Sequence, residues 1–211
     1  MSSFPTTVKT FTTKVAADTI QPAHINDLQD EVAAIESGLI NGTTTSLNVG
    51  FSTINLAGGQ LTFPAVQAAS SGANTLDDYE EGTWTPTLTF FTPGDLSVAY
   101  STRTGSYTKI GRMVTVTFNV VTSTFTHSTA SGSLFLSGLP FTVGSYYSMG
   151  GLWFTGITKA GYTNFSPRTE TADTKIAIVA SGSGVSASLV DKNDTPSGTQ
   201  QTLVGTITYF V

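Results

Sequence analysis

The chain has 211 residues, a formal net charge of −5 and no cysteine. Charged residues make up 11% of it, far below the usual ~25%, which argues against a nucleic-acid backbone as partner, since Lys and Arg drive that binding. The absence of cysteine excludes a disulfide framework and thiolate chemistry. The 61 Ser and Thr residues must cover the surface in place of charges, and Thr favours strands because its branched Cβ fits a pleated surface.

Residues 1–20 read as an extended Thr-rich arm. Phe4, Val8, Phe11 and Val15, with Ile20, are its apolar points, too sparse for a core of their own. Such an arm is either disordered or pinned against a partner. Its opening, MSSFPTTVKTFTTK, has no apolar h-region of the kind a secretory signal carries. No run approaches the ~18 consecutive apolar residues of a membrane span.

Residues 21–41 carry a helix, from about Pro22 to Leu39. Ile25, Leu28, Val32, Ile35 and Leu39 recur at intervals of three and four, which lines one narrow seam, the pattern of a coiled coil. Pro22 suits a first turn, and Gly38, Asn41 and Gly42 end the helix. Its ~27 Å are marginal alone in water. Asp27, Asp30, Glu31 and Glu36 stand off the seam, which favours self-association over the alternative of a lone amphipathic helix packed on its own domain. The mixture of Ile, Val and Leu at both core positions does not fix the oligomer number.

Over residues 42–75 the period shortens. Leu47, Val49 and Phe51 alternate, then Ile54 and Leu56, then Leu61 and Phe63, with a turn at Gly58–Gly59. Each run is too short and one-sided to stand alone, so either three chains wind into a neck or an ordinary hairpin lies on the next domain. The stretch AASSGANTLDDYEEG then reads as a polar hinge. Its Asp77, Asp78, Glu80 and Glu81 read as acidic neighbours in a solvated linker, ahead of a cation site.

Residues 76–211 read as one β domain. Candidate strands are Thr83–Phe91, Ser97–Tyr100, Tyr107–Ile110, Met113–Thr122, Ser133–Leu136, Met149–Thr158, Lys175–Ala180, Val185–Val190 and Thr202–Val211. Val114, Val116, Phe118 and Val120 share one face. Strands recurring every 10–15 residues between Gly, Pro and Asn predict an antiparallel, jelly-roll-like sandwich.

Catalytic and metal signatures are missing. His24 is read as a cap or a solvated residue, and His127 has no second His beside it. Gly182-Ser183-Gly184 opens into a strand, which a dinucleotide site does not do. Asp191, Asn193 and Asp194 read as a turn, since Pro196 stands where a calcium loop needs Gly. Asp95, Glu170, Asp173, Asp191 and Asp194 fall in expected loops, and nothing in their spacing asks for a glycosidase pair. No catalytic residue, metal or cofactor is expected. Tyr146 and Tyr147 in one Gly/Ser-flanked turn, and Tyr162 and Phe165 in another, are the candidate contacts, because sugar rings stack on such side chains. The alternative is that each tucks under its loop. Trp84 and Trp153 are read as core.

Several segments resemble those of bacteriophage fibre proteins: PAHINDLQDEVAAIESGL near the start, NTLDDYEEGTWTPTL at the hinge, then YSTRTGSYTKIGRMVTVTFNV, LSGLPF and the final GTITYFV. The resemblance implies a trimeric virion appendage, mainly β, with an attachment arm, a short parallel three-helix coiled coil, a triple-stranded β neck and a C-terminal β-sandwich head. It implies a protein that assembles in the bacterial host and sits on the virion, with partners that are its own copies, other virion proteins through the arm, and host surface glycan. The alternatives are a glycan-degrading spike head and a capsid decoration or head fibre with no receptor role.

Overall fold

The computed structural model describes residues 78–211 without a break, and before them Gln29, Asp30, Val32, Ala33, Gly59, Gln60, Thr62, Phe63, Thr75 and Leu76. By internal contacts the chain divides into Met1–Gln60 and Leu61–Val211. In the first unit Gln29, Asp30, Val32 and Ala33 are helical, inside the predicted helix, and exposed. The other seam residues (Ile25, Leu28, Ile35 and Leu39), the arm residues Phe4, Val8, Phe11 and Val15, and most of the neck lie outside the described residues.

Among the described residues, the second unit has ten strands: β1 (Tyr79–Trp84), β2 (Thr87–Thr92), β3 (Ser97–Ile110), β4 (Met113–Thr126), β5 (Ser131–Ser137), β6 (Gly150–Thr155), β7 (Asn164–Thr169), β8 (Lys175–Gly182), β9 (Val185–Leu189) and β10 (Thr202–Phe210). They form two antiparallel sheets. The first runs β1-β3-β4-β10-β6, the second β2-β5-β8-β7. One edge of β8 pairs with β5 through residues 175–177 and with β9 through 179–182. The antiparallel β-sandwich expected from the strand spacing is therefore present.

The strand patterns follow from which faces are covered. Along β4, Val114, Val116, Phe118 and Val120 are buried and alternate with more exposed residues, because one face meets the core and the other does not. Along β8, Ile176, Ala177, Ile178, Val179 and Ala180 are all buried, the unbroken apolar run of a strand covered on both faces. Between the sheets, Val116, Phe118, Leu203, Ile207 and Tyr209 of the first meet Leu88, Phe90, Leu134, Leu136, Ile176 and Ile178 of the second.

The expected strand boundaries need correction in three places. The strand predicted over Thr83–Phe91 is two strands in different sheets, because the buried Pro86 offers no N–H to a ladder and the chain crosses the sandwich there. The strands predicted over Ser97–Tyr100 and Tyr107–Ile110 are one, β3, running through Arg103 and Gly105. A turn was expected at Tyr162–Phe165, but β7 begins at Asn164 and carries Pro167. It tolerates Pro167 because β8 is its one neighbour in the strand order, and its other edge carries the isolated Met149–Arg168 bridge in place of a strand.

Gly105 explains the length of β3. Trp84 pairs with Gly105, and Gly82 with Tyr107. A Cβ on Gly105 would stand 2.4 Å from Trp84 Nε1, and one on Gly82 would stand 2.8 Å from the Tyr107 hydroxyl. Each aromatic ring thus lies over the glycine opposite it, a cross-strand device that pins register. Trp84 Nε1 also donates to the Thr117 carbonyl, 3.0 Å away, so its polar atom is satisfied inside the core.

The acidic hinge departs from its solvated reading at Asp78, while Glu80 and Glu81 of β1 are exposed. Asp78 is buried and pairs with the buried Lys109, and its carbonyl accepts from Gly111 N at 2.8 Å. Glu80 accepts from the Tyr107 hydroxyl, and that hydrogen bond, ahead of burial, pushes the Tyr107 phenol upward. Glu81 accepts from Tyr79 at 2.9 Å.

Candidate functional site

Two surfaces hold the candidate contact residues. The first is an open cleft of about 500 Å³ where β6 and β7, the edge strands of the two sheets, come together. The loop joining them, residues 156–163, forms one wall. Phe154 of β6 and Phe165 of β7 meet with ring centroids 4.7 Å apart, and Ile157 is buried beside them. Lys159 Nζ reaches Asp194 Oδ2 at 2.6 Å and lies 5.7 Å from the centre of the Tyr162 ring. Tyr162 donates its hydroxyl to the Ser186 carbonyl at 3.0 Å, which ties the loop to β9.

Asp194 is held from below. It belongs to a single 3₁₀ turn, Lys192–Asp194, capped by Asp191. Its carboxylate accepts from Asp191 N at 2.9 Å, and Asp191 Oδ1 accepts from Asn193 N at 2.7 Å. The Asp191–Asp194 segment is thus a capped turn, as expected, and its carboxylates serve backbone amides and one lysine. The cleft has an aromatic floor with an ammonium–carboxylate pair at its rim, a volume within the ~300–1,000 Å³ of small-ligand sites.

The second surface is the turn before β6. Tyr146 is 84% exposed and Tyr147 also faces solvent. The Arg168 guanidinium lies 4.3 Å from the centre of the Tyr147 ring and bonds Glu170 Oε1 at 2.7 Å. Arginine spread over a tyrosine face is a cation–π contact, and it holds Tyr147 while Tyr146 projects beyond it. Met149 is exposed and forms an isolated bridge with Arg168.

Each singled-out residue can now be placed. Tyr146 and Tyr147 are surface residues. Tyr162 is half-buried at the cleft wall. Phe165 is 8% exposed and faces the core from β7, which corrects its reading as an outward contact. Trp84 is buried as expected. Trp153 is 63% exposed, which corrects its reading as core: in β6 it points away from the sandwich while Phe154 points in. The sequence does not single out Lys159 or Arg168, and it marks Asp194 as a turn and loop carboxylate without its lysine partner. Lys159 and Asp194 are 35 residues apart, and only the fold joins them.

The loop carboxylates weighed as hydrolytic groups each have a structural partner. Asp95 accepts from Ser128 N and Thr129 N at 2.8 and 2.7 Å, which holds its carboxyl at about 2. Asp173 bonds Lys175 at 2.8 Å, and that contact lowers its pKa. Glu170 bonds Arg168, and Asp194 bonds Lys159. His127 lies edge-on to Phe90 and Phe125, with Nε2 2.8 Å from the Thr195 carbonyl. Among the described residues no group of three or more His, Cys, Asp or Glu is placed to hold a metal ion.

Fold and surface together define a two-sheet antiparallel β-sandwich with exposed aromatic side chains at its loops. No family model matches the chain, and no curated protein matches it. Among solved structures, the crystal structure of the Dettilon tailspike protein is similar, with 19% identity and a TM-score of 0.48 over 63% of this chain and 24% of that one. The chain thus spans about a quarter of that protein's length.

Proposed function

We propose that this chain is a structural component of a bacteriophage virion, a parallel homotrimer held to the particle by residues 1–20 and presenting the β-sandwich as a head that contacts the host surface. The observation that carries this reading is the joining of a three-four apolar seam, Ile25 to Leu39, to a charge-poor β-sandwich. A seam of that kind brings identical chains together, and parallel chains follow because every copy presents its arm at one end and its head at the other. The segments PAHINDLQDEV and NTLDDYEEGTWTPTL, which resemble phage fibre proteins, support the same assignment.

Binding is favoured over hydrolysis by the partners of the head's loop carboxylates. Asp95, Glu170, Asp173, Asp191 and Asp194 are each engaged with a backbone amide or a cation. Three heads on one stem turn weak contacts into avidity. Light scattering on the intact protein tests the assembly: the expected mass is three times the 22.0 kDa chain, and a monomer or dimer overturns it. A chain starting at Thr19 should still trimerise but fail to join virions. Normal incorporation of that shorter chain would remove residues 1–20 as the anchor, and release of reducing sugar from host glycan would move the protein to the enzymes.

A further inference from the structure

Four large apolar side chains lie in one line across the first sheet. Tyr79 pairs with Ile110, Ile110 with Met113, and Met113 with Phe210, so the four form one rung over β1, β3, β4 and β10. They are 42, 41, 39 and 50% exposed. The adjoining residues Lys109, Val114 and Tyr209 are buried, and since successive side chains alternate, the rung belongs to the face turned away from the core.

The two rungs beside it are Glu81–Thr108–Thr115–Thr208 and Thr83–Ser106–Thr117–Thr206. Glu81 is the single charged side chain in the three. Several hydroxyls of this face already satisfy one another or the sheet: Thr115 and Thr208 meet at 2.9 Å, Ser106 and Thr117 at 2.7 Å, and Thr206 donates to the Val116 carbonyl at 3.0 Å. Covering them therefore strips little hydrogen bonding from water.

We infer that this face is where the heads of neighbouring copies of this chain pack on one another, with the Tyr79–Ile110–Met113–Phe210 rung at the centre of the contact. The inference rests on the homotrimer proposed above and adds to it the surface that joins the heads. A second copy is the occupant for three reasons. The three rungs carry one charged side chain, Glu81, and the Arg112 guanidinium lies 5.8 Å from the Phe210 ring at one end, so the middle of the face is uncharged, as the centre of an interface between subunits is. The rung includes the first residue of β1, the strand that follows the stem and neck in sequence, so copies joined upstream bring their rungs together. Among the described residues before β1, Phe63 meets the Tyr79 end of the rung, its ring 6.1 Å from the Tyr79 ring, while Ile110, Met113 and Phe210 are exposed.

The chain has no cysteine, so one introduced thiol reports cleanly. Met113→Cys in the full-length protein, treated with a short bis-maleimide, should link chains covalently in most molecules, by a fraction that does not fall on dilution. Val185→Cys, on exposed β9 of the other sheet, should link few. Ile110→Cys should behave like Met113→Cys and guards against misfolding of the first variant. The mass of each sample is measured alongside. A trimeric mass with linking no greater than in the Val185→Cys control overturns the inference and leaves the trimer standing; the heads then stand apart, or the chain's own residues 61–77 cover the rung. A monomeric mass overturns the trimer and the inference together.

Discussion

Asp78 and Lys109 form an ion pair with both side chains almost wholly out of solvent. The pair fastens the start of β1 to the end of β3, and the Asp78 carbonyl adds a bond to Gly111 N in the β3–β4 turn. Gly111 has φ of 55°, left-handed backbone that glycine adopts without strain. Removing the carboxylate takes the ion-pair partner Asp78 away from a buried ammonium. Asp78→Ala should therefore destabilise the head by roughly 3–5 kcal/mol, whereas Asp78→Leu with Lys109→Met should restore much of the loss. Thermal unfolding of the two variants decides this. Equal melting temperatures for wild type and Asp78→Ala would show that the pair contributes nothing.

Asp95 makes the head sensitive to acid. Backbone hydrogen bonds, from Ser128 first and then Thr129, hold its carboxyl at about 2 against an ordinary value of 3.8. Because the folded value is the lower one, this stabilisation is whole above 3.8 and is lost as the pH falls through about 2. Asp173, lowered by Lys175, acts in the same direction. Asp95→Ala should flatten the dependence of melting temperature on pH across that window. An unchanged slope would assign the acid sensitivity elsewhere.

Gly105→Ala should push Trp84 off its seat and cost about 1–3 kcal/mol, the usual penalty of overpacking. The indole emission spectrum should shift towards that of a wetter Trp, with Trp153→Phe as background to isolate Trp84. An unshifted spectrum with full stability would mean the ring has room to move.

How much of this was legible in sequence depends on where the informing partner lies. The alternation of Val114 to Val120 needs only the strand's own period, so β4 could be read directly. β3 could not be read whole, because Gly105 looks like a break until Trp84 is seen above it. β7 was missed because Pro167 argues against a strand, unless one knows that the strand is an edge. Asp78 looked solvated because Lys109, which buries it, is 31 residues away. At the site, the exposure of Tyr146 and Tyr147 could be read from their Gly/Ser surroundings. The opposite fates of Trp153 and Phe154 depend on which face of β6 meets the core, and one strand's sequence carries that only weakly.

The aromatic candidates separate by experiment. Tyr146→Ala with Tyr147→Ala should weaken adsorption to the host and leave melting nearly unchanged, as surface changes do within ~0.5 kcal/mol. Phe165→Ala should instead cost about 3–5 kcal/mol by opening a cavity against Phe154. A large fall in melting for the tyrosine pair would make them part of the core. Unchanged adsorption with unchanged melting would remove them as a contact site.

If the proposed coiled coil holds the copies together, Leu28→Asp should place a carboxylate from each copy on the seam and reduce the mass in solution to that of one chain, since the two and a half heptads expected from the sequence have little stability to spare. Circular dichroism of the variant should keep the β signal of the head. A trimeric mass for Leu28→Asp would move the source of assembly off this seam.

The crossing at Pro86 has a mechanical consequence. The chain leaves β1 for the opposite sheet there, so a pull from the N-terminal side is taken first by β1 alone, along its own axis. All six residues of β1 pair with β3, from Tyr79 opposite Ile110 to Trp84 opposite Gly105, and antiparallel hydrogen bonds lie across the strand direction. Tension therefore loads that ladder sideways and all at once, instead of peeling it one bond at a time. The Asp78–Lys109 pair stands at the end where the force arrives, and the Trp84 ring over Gly105 stands at the other. Under the proposed assembly, β1 would be the tether through which the sandwich bears load when its loops are engaged.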